Sequence, residues 1–195
     1  MRFARLLPAA VVVALGAAFG AGTARAERVL VDRVVAVVTP SDPQIPDARV
    51  VLASTLEIVA RIRIVERRNP EMLWAPLTGE YLAAVLDEMV NEILLFDEAA
   101  RLGLDRVSVE AAAQERAGFE ARFLDPERLA EMWTAYDWTD ADVSEYFRRR
   151  RVVREFLSAN VSTLGGSGGA PDVRAAVEYW VSSLRARSKV RVLVD

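Results

Sequence analysis

The stretch Thr78–Leu104, TGEYLAAVLDEMVNEILLFDEAARLGL, most constrains what this chain can fold into, because its period and both its ends are marked. Thr78 is placed to cap a helix, and Glu80 puts a negative charge in the first turn, where the helix dipole favours it. Arg101 lies in the last turn, and Gly103 is placed to end the helix in a left-handed conformation. Leu82, Val85, Leu86, Met89, Ile93, Phe96 and Ala100 recur at the helical period, which predicts that they form the core stripe. Val90 and Leu94 widen the stripe on one side. At about 100° per residue the apolar arc then spans roughly 180°, more than one flat contact needs. A helix of this kind is flanked on several sides. The Val90–Leu94 flank is expected to face either a neighbouring helix or a bound polypeptide.

The first residues are set apart from the rest. Arg2 and Arg5 precede an apolar run, Leu6 to Gly20, and Ala24-Arg25-Ala26 follows as an A-x-A site. The pattern predicts a secretory signal peptide over 1–26, cut after Ala26, leaving a mature domain over 27–195 with no stable membrane anchor. Loss of three arginines and no acids takes the formal charge from −3 to −6. A mildly acidic domain argues against nucleic acid as a partner. The chain has no cysteine, so its stability must come from packing rather than disulfides. It also has no histidine, which excludes serine triads and zinc hydrolases in their usual forms.

Arg28 to Val38 is dense in β-branched residues and reads as a strand. Thr39 to Ala48 holds three prolines and reads as a loop, and Arg49 to Leu52 as a short return strand. Ser54 is placed to cap a helix from Thr55 to about Arg67, although Ile58, Ala60, Ile62 and Ile64 also alternate as a strand would. Asn69-Pro70 and Pro76 bracket an irregular link carrying Met72, Leu73 and Trp74. Three more helices are expected: Val109 to about Phe123 capped by Ser108, Pro126 to about Tyr136 opened by Asp125, and one after Thr139 that runs to about Ser158. Thr139 and Asp142 have capping-box spacing. Asn160 to Pro171 reads as a Gly/Ser linker, and 172–195 as a closing helix and strand. A lone strand is not stable, so the first and last strands are expected to pair. The fold class is therefore mainly α, an α+β arrangement with a small sheet joining the N- and C-terminal strands.

Three clusters invite a chemical reading. Asp137, Asp140, Asp142 and Glu145 gather acids beside Trp138 and Tyr146, but sequence neighbours rarely supply both catalytic acids across a sugar, and capping explains them better. Arg148 to Arg151 with Arg154 points in all directions around a helix and reads first as a solvated face. The tryptophans and methionines offer an adaptable surface for unfolded peptides. Trp133, Trp180 and Met132 sit in helical register and read as core. Trp74 and Met72 in the link, Trp138 at the corner, and the Val90–Leu94 flank are the candidate peptide-binding residues.

The order of these elements resembles that of the SurA-like periplasmic chaperones. Asp32 to Val38 is similar to their opening D-x-V-x-A-V-V strand, and Leu86 to Leu104 to their longest helix signature, with its E-A-x-x-x-G ending. Val107-Ser108-Val109-Glu110, Tyr146 to Leu157, and Trp180, Leu184 and Arg185 before Lys189 to Val192 match later segments in order. The resemblance implies a periplasmic, ATP-independent chaperone without cofactors or catalytic residues, which holds unfolded secreted or outer-membrane polypeptides. Relatives carry parvulin-type prolyl isomerase domains where this chain has only Asn160 to Pro171. The alternatives are an envelope adaptor that binds one folded partner and a degenerate member of an isomerase family.

Overall fold

The computed structural model describes residues 32–40, 47–67, 69–164 and 173–193. The signal-peptide reading, residues 28–31 of the first strand, most of the proline-rich loop and the Asp172 cap lie outside the described residues. Among the described residues six α-helices accompany one three-stranded antiparallel sheet, so the fold is mainly α with a small β component.

Strand β1 (Val34–Thr39) lies between β2 (Arg49–Leu52) and β3 (Lys189–Val192). Ala36 pairs with Val51 on one side and Val192 on the other, so the two ends of the described chain meet in one sheet, as expected. The register with β2 shifts between Val34 and Ala36. A bulge there breaks strict alternation, which accounts for Val35 and Ala36 both being buried.

Helix α1 (Ala53–Arg67) is helical despite its alternating isoleucines, because it is enclosed on nearly every side. Leu56, Val59 and Ala60 pack against the sheet and α2, while Ile58, Ile62 and Val65 pack against α3, α4 and α5. Ser54 is not its cap. The Asp32 carboxylate accepts from both the Ser54 N–H (3.2 Å) and the Ser54 hydroxyl, so the helix start is capped by the segment before β1.

Helix α2 (Gly79–Arg101) begins at Thr78, whose hydroxyl accepts from the Tyr81 N–H at 3.2 Å. It ends at Gly103 with φ 70°. There the Gly103 and Leu104 N–H groups bond the Ala100 and Ala99 carbonyls at 2.9 and 2.7 Å, a Schellman ending. Its buried residues are Val85, Leu86, Met89, Val90, Leu94, Leu95 and Ala99, together with Asp97 and Glu98. The buried arc is thus rotated from the expected stripe: Leu82, Ile93, Phe96 and Ala100 are half-buried. One end of α2 meets β1, β2 and α1, and the other meets α5 and α6.

Helices α3 (Val109–Glu120), α4 (Pro126–Ala135) and α5 (Asp140–Leu164) start at the caps the sequence marks. Ser108 accepts from Ala111 N–H, Asp125 from Glu127 N–H, and Thr139 and Asp142 bond each other reciprocally. Asp137 turns the corner at φ 53°, a conformation Asp tolerates better than most residues. Helix α5 continues past Ser158 to Leu164, so residues 160–164 of the expected linker are helical. Asn160 stays within the helix by donating to the Phe156 carbonyl at 2.8 Å. Helix α6 (Val173–Arg187) closes the fold through Trp180 on Phe156, with ring centroids 4.7 Å apart, and through Arg185, which donates to Asn91 (2.7 Å) and Asp87 (2.5 Å). No helix among the described residues is long and apolar enough to cross a membrane.

Candidate functional site

The structure separates the five sequence-predicted peptide-binding residues. Val90 and Leu94 are 2% and 3% exposed, packed among Val38, Val152, Val153, Phe156 and Leu184. They face neighbouring elements and offer no surface to a client, which corrects that part of the expectation. The physical reason is that β1, α5 and α6 all converge on this flank of α2. Trp138 is half-buried and already engaged. It stacks on Trp133 at 5.9 Å with the planes 5° apart, and lies 5.5 Å from Tyr146. It closes the seam between two core clusters rather than lining an open groove.

Met72 and Trp74 do stand in water, 40% and 44% exposed, on either side of the fully buried Leu73. The link that carries them is a short 3-10 turn, Pro70–Met72, capped by Asn69. Arg61 of α1 clamps it by donating to the Leu73 carbonyl at 2.9 Å and to the Ala75 carbonyl. The same guanidinium lies 5.5 Å from the centre of the Trp74 ring and donates to the Tyr136 hydroxyl at 3.3 Å. Trp74 is therefore held outward by a polar clamp. It forms one wall of a shallow groove whose other side is α4: Glu127, Ala130, Glu131, Thr134 and Ala135. An exposed indole and thioether beside small and acidic residues suit weak, sequence-tolerant contact with apolar side chains.

A second place, missed in the sequence, is a cavity of about 400 Å³ bounded by β2, α1, α2 and α5. Val51, Val59, Met89, Ile93, Phe96 and Val153 make its apolar wall, and Arg49, Glu92, Asp97, Tyr146, Arg149 and Arg150 its polar one. Arg49 donates from two nitrogens to Oδ1 of Asp97, each at 3.3 Å, while Oδ2 has no partner. Burial pushes the Asp97 carboxyl above its usual range, and Arg49 only partly offsets this. The Tyr146 hydroxyl is enclosed and also without a partner, although the residue as a whole is half-buried. Burial pushes its pKa up to about 12. Arg63 Nε, in the ion network next to Tyr146, is a third buried atom without a hydrogen-bond partner, and each such group costs roughly 1–3 kcal/mol. The sequence held one signal: Asp97 continues the Met89–Ile93 face of α2, where an acid meets the core.

Beneath the cavity lies a buried ion network. Arg150 donates to Glu66 at 2.5 Å and lies 5.5 Å from the Tyr146 ring. Arg63, 6% exposed, pairs with Glu66 at 3.2 Å and with Glu92. Burial opposes ionisation of Glu66, but the hydrogen bonds and charges of Arg150 and Arg63 outweigh it and lower its pKa. Of the basic run only Arg150 is largely buried; Arg149 and Arg154 are exposed, as on a solvated face, and the run pairs with nearby acids. Arg148 and Arg149 bond Glu145 at 2.7 and 2.6 Å, Arg151 bonds Glu155 at 2.7 Å, and Arg154 bonds Glu115 at 2.6 Å. The acids at the corner are likewise committed, Asp140 to Arg116 at 2.6 Å and Asp142 to the cap. Among the described residues no group of three or more His, Cys, Asp or Glu side chains is placed to hold a metal ion. No protein-family model, curated protein or solved structure matches the chain.

Proposed function

We propose that the chain is an extracytoplasmic, ATP-independent chaperone that holds unfolded secreted or outer-membrane polypeptides without chemistry of its own. The observation that carries this reading is the clamped exposure of Met72 and Trp74. Exposing a tryptophan costs solvation free energy, and a flexible link would fold it inward; the Arg61 clamp keeps it available. A preorganised aromatic with a plastic methionine beside it binds many apolar segments weakly, which is what holding unfolded chains requires.

Further support comes from the motif order that resembles SurA-like chaperones, and from the leader-like residues 1–26, which argue for export to the periplasm. The relatives' isomerase domain has no room here, since α5 ends at Leu164 and α6 begins at Val173.

A photoreactive side chain in place of Ala130, in the groove beside Trp74, tests the reading. It should crosslink an outer-membrane β-barrel protein diluted from denaturant and spare the same protein once folded. Crosslinks to a single folded envelope protein instead would favour the adaptor reading.

A further inference from the structure

The groove beside Trp74 has a charged side as well as an apolar one. Its α4 wall, Glu127, Ala130, Glu131, Thr134 and Ala135, follows the spacing i, i+3, i+4, i+7 and i+8, so one stripe of the helix faces the groove. Thr134 spends its hydroxyl on the Ala130 carbonyl at 2.9 Å. The charges on the groove's lining are therefore two exposed carboxylates and no cation. Glu127 and Glu131 stand one turn apart, about 5–6 Å between β-carbons, where like charges repel.

A pair with the same spacing elsewhere shows what is missing. Glu88 and Glu92 of α2 also lie one turn apart, and arginines of α1 neutralise them: Arg63 pairs with both, and Arg67 with Glu88 at 2.7 Å. Among the described residues Glu127 and Glu131 have no such partner. Arg128 lies off the groove-facing stripe and pairs with neither. Arg61 lies 5.5 Å from the Trp74 ring centre, but its donors are spent on the Leu73 and Ala75 carbonyls and the Tyr136 hydroxyl.

An occupant of this groove thus meets an indole, 44% exposed, on one side and two uncompensated carboxylates on the other. A purely apolar segment would cover the carboxylates without pairing them, which costs desolvation, and an acidic segment would be repelled. A segment with both an apolar and a basic side chain satisfies both walls. Lysine and arginine bring apolar stems as well as charge, and in an extended chain residues i and i+2 point to the same side, about 7 Å apart.

We infer that the Trp74 groove selects basic segments of its clients, an apolar side chain lying on Trp74 while an arginine or lysine two residues away pairs with Glu127 and Glu131. The inference rests on the polypeptide-holding reading and gives that site its substrate class.

The probes are acetyl-Ser-Leu-Thr-Arg-Thr-Leu-Ser-amide and its twin with citrulline, which keeps the shape of arginine without the charge, titrated against the full chain by heteronuclear NMR. The arginine peptide should shift Trp74 and Ala130–Ala135 and bind about fivefold tighter than the citrulline peptide, a gap that high salt narrows. In the Glu127→Gln, Glu131→Gln double variant the arginine peptide should fall to the affinity of its twin, while the twin binds as before. Both positions are exposed, so the fold persists, and unmoved resonances elsewhere in the same spectra verify it. Equal binding of the two peptides by the parent protein, full arginine-peptide affinity in the double variant, or no binding of either peptide overturns the inference. The chaperone reading stands or falls separately, on suppression of aggregation of a denatured β-barrel protein. Suppression that is lost on replacing Met72 and Trp74 keeps that reading whatever the peptides do, and none at several-fold excess of the parent protein sinks it.

Discussion

At the Met72–Trp74 link apolar side chains stay in water, while in the cavity between α2 and α5 polar atoms stay out of it. Each region departs from what burial alone would choose, and each is held there by an arginine. Arg61 clamps the link and keeps an indole exposed; Arg49 grips one oxygen of Asp97 and leaves the other unpaired. The difference lies in what surrounds them. The link lies over a single buried plug, Leu73, so little else depends on it. The cavity sits on the ion network and between two core clusters, so its residues carry stability as well as any binding role.

The sharpest way to break this contrast is Leu94→Asp. Leu94 lies in the cluster that adjoins the cavity, and an unpaired charge there should cost about 3–5 kcal/mol, with loss of the cooperative thermal transition. A folded Leu94→Asp protein would contradict the packing of α2 against α5 and α6. Arg150→Ala should follow, at about 3 kcal/mol by denaturant titration, because it strips Glu66 of one of two buried partners.

Tyr146→Phe should go the other way, neutral or up to about 1 kcal/mol more stable, since the hydroxyl it removes is buried and unpaired. Acid titration probes the exposed side of α5. The Arg148 hydrogen bond, with Arg149 behind it and burial opposing, holds the Glu145 carboxyl down to about 2 from 4.5. The folded state thus favours the charged form. That stability is present above the unfolded value and is lost as pH falls from about 4.5 towards 2. Glu145→Gln should flatten this part of the acid-melting curve, and only shallowly, because the side chain is 41% exposed and solvent screens the pair. Smallest of all in stability is Trp74→Ser, within about 0.5 kcal/mol, yet it should weaken client holding more than any of the others.

The ends of elements were legible because caps are local chemistry. Thr78, Ser108, Asp125, Thr139 and Gly103 act where their residue types predict. The pairing of first and last strands was legible too, since neither could stand alone. What escaped depended on partners distant in the chain. Ser54 looked like a cap, but Asp32 does the capping. The stripe on α2 was displaced because β1, α5 and α6 arrive on the Val90–Leu94 side. Helix α5 outran its expected end because Ser158 and Asn160 carry no true stop, and the first glycine comes only at Gly165. The cavity could not be read at all. Four elements form it, and a missing hydrogen-bond partner leaves no mark in a sequence.

The most direct measurement is light scattering from an outer-membrane β-barrel protein diluted out of denaturant, with and without residues 27–195 of the chain. Suppression near a one-to-one ratio, without ATP and lost in the Met72→Ser, Trp74→Ser double variant, is the expected result. Undiminished scattering at several-fold excess of the parent protein would contradict the account.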